Sequence, residues 1–305
     1  MEKHRKKLIK NAAVFDGHSS GLAQGKKIVI EDDIVTEITA DEVSEENFDE
    51  VFDGTGMVAM PGMTDAHVHM GCLFAKGEFP VDYATVLTVA KCKDALMAGF
   101  TTFRDAGSVS EGLKLAFDEG VLPGPRIYPC GAYISQTCGH GDSEYAHTYR
   151  DIQYRHPSST VLADGVPEII RAVREQFYRG ASHIKLMATE ILNRHEDIRL
   201  LFGTDMMITR PDYQVEQSED IRYYEKRFDT MRALRALTGT ANEVFALTTY
   251  QNPYPKGKIG VLEAGSYADL LLVDGDPTKS VSVLADTDHL RLIMKGGTVY
   301  KNTLC

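Results

Sequence analysis

The sequence predicts an α/β chain: an incomplete TIM-like (β/α) barrel, with about five of the eight strands that close one, carried beside a small composite β-sandwich. Three observations predict this. Residues 1–60 and 251–305 read as short strands and turns, whereas residues 61–250 alternate amphipathic helices, glycines and buried strands. Histidines and acids fall at the ends of the predicted middle strands, where barrels of this kind carry reactive groups. The connection after Glu190 is too short for a complete barrel.

The first domain is read from both chain ends. "LIKNAAVF" precedes an Asp-Gly turn, "KKIVIEDDIVTEI" reads as a hairpin about Asp32-Asp33, and "GMVAM" runs up to Pro61. "YADLLLVDG" and "LRLIMKGGTVYKN" are strands too, with Gly296-Gly297 turning the latter back on itself. Two all-β ends around a different middle imply one discontinuous domain of residues 1–60 and 251–305.

The middle, residues 61–250, repeats helix, glycine and strand. "TVLTVAKCKDALMAGFTTFRDAG" is one such unit and "VPEIIRAVREQFYRGASHIKLMA" another. In the second, Asp164 is placed to cap, Pro167 suits the first turn, and Ile169, Ile170, Val173 and Phe177 form an apolar stripe before Gly180. Barrel strands are expected at 63–69, 99–104, 126–132, 182–188 and 198–204. Past them, Ile221, Tyr224, Phe228, Met231 and Leu234 recur at helical spacing and read as core. No glycine-rich loop supports a doubly wound sheet instead.

Bulk properties narrow the function. A chain of 305 residues can bury a sizeable core, and a net charge of −11 argues against nucleic acid as a partner. The cysteines, at 72, 92, 130, 138 and 305, form no CxxC and read as reduced thiols of a cytoplasmic protein. No apolar run reaches membrane-spanning length, so no membrane partner is expected. The start, "MEKHRKKLIKNAAVF", is basic without the apolar core of a secretory signal, and its charge cluster Lys3–Lys7 reads as a solvated tail.

The candidate chemistry begins at "PGMTDAHVHM". His67 and His69 alternate onto one face of a strand, about 7 Å apart, and can grip one divalent ion from one side. Asp65 keeps the same spacing and completes a candidate trio. Lys185, in "HIKLMA", is costly as an ammonium on a buried strand. A neutral amine there can take up carbon dioxide as a carbamate; the plainer alternative is a lysine paired with an acid. Asp205 follows an apolar strand, where a carboxylate can bind metal and take a proton from water. His183 reads as a packed core histidine. In "YISQTCGHGDSEY", Tyr133 and His140, with Asp142, either face a substrate or only order a long loop.

These residues resemble the amidohydrolase superfamily, in particular the imidazolonepropionase-related amidohydrolases that include metal-dependent Xaa-dipeptidases. "MPGMTDAHVHM", "AGFTTFRDAGS", "GPRIYPCGAYISQTCGHGD", "GASHIKLMA", "LLFGTDMM" and "NPYPKGKIGVLEAGSYADLLLVDGDP" look like its segments, in its order. The resemblance implies a (β/α)8 barrel with a β-sandwich from both ends, and one or two divalent metals, usually zinc. His67 and His69 then match first-strand ligands, Lys185 the carboxylated lysine, and Asp205 the last-strand ligand and general base.

The chain departs from that pattern in one place. The family also uses one histidine from strand five and one from strand six, and nothing here matches them. Between Lys185 and Asp205 the only histidine is His195, in a polar run. A parallel crossover takes about 10–12 residues at least, and a barrel unit averages about 30. Three βα units are therefore expected to be absent between Glu190 and Ile191, leaving ligands for at most one metal. Three functions follow: a hydrolase of amides, cyclic amides or small peptides; an inactive truncated member; or a homo-oligomer in which copies cover each other's open edges.

Overall fold

The computed structural model describes residues 5–70, 81–107, 111–137, 139, 141–142, 160–186, 199–207 and 217–304. Two sheets are built from the chain ends. One runs Ile34–Thr39, Lys27–Glu31, Lys6–Lys10, Glu50–Asp53, and the other Thr298–Asn302, Leu290–Lys295, Leu270–Val273, Val58–Pro61, Ala13–Val14. In the second sheet the chain ends meet directly, with Leu271 opposite Met60. Facing sides of the two sheets share a core: Ile9, Ile28, Ile30 and Phe52 with Leu270, Leu272, Leu292 and Met294; the other side of the second sheet is buried too, through Met60, Leu271 and Ile293. The two turns interlock. Gly297 has φ +70, and a Cβ on it would lie 1.8 Å from the Asp32 carbonyl oxygen, so only glycine fits.

The middle of the chain forms a parallel sheet in the order Met206–Met207, Met63–His69, Phe100–Asp105, Arg126–Tyr128. Met63–His69 has the expected bounds. The third strand stops early because Pro129 has no N–H to donate, and Tyr133–Ser135 pairs instead with Thr160–Leu162. Two further strands differ from expectation. Of 182–188, residues 182–185 are not a strand, and Leu186 makes only an isolated bridge to Ile134. Residues 199–204 are irregular and hang on the histidine strand through Ala66 N to the Phe202 oxygen, 2.8 Å, and Asp205 N to the His67 oxygen, 2.9 Å. Two bonds are too few for a regular ladder. The predicted deletion point lies outside the described residues, and no sheet closes among the described ones.

Helices Val81–Met97, Glu111–Asp118, Gln217–Arg227 and Thr230–Leu237 accompany this sheet. The stripe expected past Asp205 does enter the core through Ile221 and Leu234, with Tyr224 and Met231 packed against it. It spans two helices rather than one, because Asp229 caps the second by accepting from Arg232 N at 2.9 Å. In Val166–Tyr178 the expected stripe is borne out only in part: Val173 packs on the cluster of Ile134, Ala163 and Ala172, but Gln176 is buried and Ile170 is 44% exposed. Gln176 turns inward because its side-chain oxygen accepts from Ala132 N at 2.9 Å. Asp164 caps nothing here, since its carboxylate accepts from Thr137 N at 3.1 Å. Among the described residues no helix is long and apolar enough to cross a membrane.

The parallel sheet is fastened to the terminal sheets at its N-terminal end. Arg126 Nε donates to Asp269 Oδ2 at 2.7 Å and its Nη2 to Oδ1 at 3.1 Å, and the guanidinium lies 3.8 Å from the centre of the Tyr267 ring. Breaking such a buried pair costs about 3–5 kcal/mol, because one charge is left alone.

Candidate active site

His67 and His69 stand at the C-terminal end of their strand with ring centroids 5.2 Å apart. Asp205 meets both: its Oδ1 is 3.2 Å from His67 Nε2 and 3.0 Å from His69 Nε2. Lys185 Nζ is 3.1 Å from His67 Nε2. The backbone sets this up. Asp205 takes φ +54, a left-handed conformation an aspartate tolerates, and this follows Gly203, where a Cβ would come 2.8 Å from His67 Cβ. On the other side Gly107 leaves no room for a side chain: a Cβ would lie 2.8 Å from the Tyr133 ring and 3.3 Å from His69 Nδ1.

The donor set fits a divalent metal. The ligand atoms of His67, His69 and Asp205 all lie within 4.8 Å of one another. His67 Nε2 faces both Asp205 Oδ1 and Lys185 Nζ, yet one ring nitrogen cannot donate to the first and accept from the second at once. Burial, then the Lys185 charge, holds the His67 pKa down to about 4, which leaves the imidazole neutral with a lone pair to give. His69 is 7% exposed, while Asp205, 74% exposed, opens the site outward.

Asp65 is not in this set. A bulge between Asp65 and Val68 breaks the alternation that would have aligned it with the histidines. Its buried carboxylate accepts from Thr204 Oγ1 at 2.7 Å, Gln217 Nε2 at 2.6 Å, and the backbone N–H groups of His67 and Thr204 at 3.2 Å. Burial raises its pKa to about 6 against those bonds. Asp65 thus ties the Asp205 turn to the histidine strand. Thr204 and Gln217 had no recognisable sequence signal, since their role depends on where the bulge turns Asp65.

Of the other expected residues, Tyr133 is buried beside Gly107, and His140 lies outside the described residues. His183 has both ring nitrogens engaged, 3.0 Å from Ser182 Oγ and 3.1 Å from the Asp105 oxygen, and burial takes its pKa down to about 3. Two cavities lie apart from the histidines: about 340 Å³ beside Tyr128, Phe245 and Asn252, and about 400 Å³ beside Arg199, Arg232 and Arg235.

Two strand-end histidines, an aspartate and a lysine thus meet at one point of a mixed α/β fold, an arrangement that could hold a metal ion. Residues 58–198 match the amidohydrolase family model, and this stretch of the chain is similar to that family. It is 34% identical over 152 residues to ochratoxinase of Aspergillus niger, 43% of this chain and 31% of that protein. It is 39% identical over 176 residues to imidazolonepropionase of Picrophilus torridus, 53% of this chain and 43% of that protein. The chain thus matches less than half the length of these curated relatives. In fold it is similar to a crystal structure of a prolidase complexed with N-methylphosphonate-L-proline, with TM-score 0.82, 22% identity, and coverage of 97% of this chain and 100% of that one.

Proposed function

We propose that this chain is a metal-dependent amidohydrolase that cleaves a C–N bond of an amide, cyclic amide or small peptide. The observation that carries the reading is the convergence of His67 Nε2, His69 Nε2 and Asp205 Oδ1 within 4.8 Å, with Lys185 beside them. His67, His69 and Asp205 would hold one divalent ion, zinc by the chemistry of the donors. Such an ion lowers the pKa of water and polarises a carbonyl.

The chain's own residues supply the rest. His67, held neutral, and His69 point two nitrogens at one spot from one strand. Asp205, the exposed member, takes the proton of the attacking water at a carboxylate oxygen and returns it to the leaving nitrogen. Lys185, carboxylated, would add a further oxygen ligand next to His67. The relatives named ochratoxinase and prolidase support an amide-type substrate. The free buried thiols Cys92 and Cys130 support a cytoplasmic, reducing setting.

Proline release from Xaa-Pro dipeptides, and ring opening of hydantoins to N-carbamoyl amino acids, by the zinc-supplied, gel-filtered chain tests this. Turnover above buffer, reduced about 100-fold or more in Asp205→Asn, is expected. A second reading, an inactive truncated member, is favoured by the donor set itself: among the described residues no third histidine joins it. A folded, metal-loaded chain inert on every substrate would establish that reading.

A further inference from the structure

Arg104 lies one strand away from the histidines, in Phe100–Asp105. The ladder pairs it with Tyr128, and the bulge in the neighbouring strand brings Val68 level with Asp105. Partners in a parallel ladder share a face, so Arg104 faces the same side as His67 and His69. It is half-buried, and among the described residues it has no hydrogen-bonding or ion-paired partner. The one carboxylate whose field reaches it, Asp105, is committed elsewhere: its oxygens accept from Met70 N and Gly107 N, each at 3.2 Å. Arg104 depresses the pKa of both His67 and His183, which places its charge within reach of the site.

The charge count is therefore uneven. Arg104 lies on the face of His67 and His69 with no carboxylate bonded to it among the described residues, and a resident divalent ion would add positive charge. A half-buried guanidinium with no counter-ion is costly, and its planar fork matches a carboxylate with two parallel hydrogen bonds. We propose that Arg104 anchors a carboxylate on the substrate, so that the chain prefers amides of amino acids with a free carboxylate over the same amides with that group blocked. This rests on the amidohydrolase reading for the word substrate, and on Arg104 alone for the specificity.

The test is calorimetric binding to the full zinc-supplied chain, with N-acetyl-L-phenylalanine and its primary amide as probes. The acid is expected to bind at least about tenfold tighter than the amide. Arg104→Met should erase that preference, and Arg104→Lys, which keeps the charge without the fork, should retain part of it. Equal binding of both probes, no binding of either, or a preference that survives Arg104→Met overturns the proposal. So does a result in which Arg104→Met only lowers metal retention in bicarbonate, since the counter-ion would then be a carbamate on Lys185. Binding is read without turnover. A chain that selects the acid through Arg104 but hydrolyses nothing keeps this proposal and loses the hydrolase reading. A chain that hydrolyses acid and amide equally does the reverse.

Discussion

The N-terminal ends of the parallel strands and their C-terminal ends are held by opposite means. At the N-terminal end Arg126 is paired in two places with Asp269, Gly296 N donates to the same carboxylate at 2.6 Å, and Lys295 Nζ donates to the Gly124 oxygen at 2.6 Å. At the C-terminal end, two histidines crowd an exposed aspartate in a left-handed turn, with a lysine alongside and an arginine that has no partner among the described residues. One end stores stability, and the other concentrates groups that need a ligand to be content. That division lets a chain keep a strained, charged site without unfolding.

The comparison breaks most sharply at Asp269. Asp269→Ala should cost about 3–5 kcal/mol, read as a lower urea midpoint, because Arg126 is left buried without its partner. At the other end Gly203→Ala should cost about 1–3 kcal/mol by pressing on His67 Cβ, and zinc retention should fall with it. Asp65→Asn sharpens the division. It offers no atom to the metal, yet it bonds the His67 backbone and holds the Asp205 turn, so zinc affinity by chelator competition should weaken about 10–100-fold.

The smallest effect is in pH. Burial lowers the Lys295 pKa from 10.5 to about 8, so between those values the unfolded chain holds a proton that the folded chain has released. Stability therefore rises with pH across that window, and the penalty is complete below about 8. The thermal midpoint should climb between pH 8 and 10.5 in the parent and less so in Lys295→Met.

What could be read from the sequence follows the same division. The strand Met63–His69 was legible because Pro61-Gly62 precedes it and His67-Val68-His69 alternates, and the interlocking turns at Asp32 and Gly297 because glycine and aspartate signal turns. The trio was half legible. The HxH spacing put His67 and His69 on one face, but the same alternation wrongly recruited Asp65, since nothing local announces a bulge. The stripe Ile169–Phe177 was legible in part: Val173 packs inward as periodicity expects, while Ile170 is exposed and Gln176, which accepts from Ala132 N, is buried in its place. Strand regularity at 182–188 and 198–204 depended on neighbours, which no window of sequence contains.

The central claim is that His67, His69 and Asp205 still assemble one metal site. Elemental analysis of the gel-filtered 305-residue chain, expressed with zinc supplied, tests it most directly. About one metal per chain, lost in His69→Ala with the fold retained, is the expected result. A folded chain that holds no metal, or holds it equally well without His69, would contradict the account.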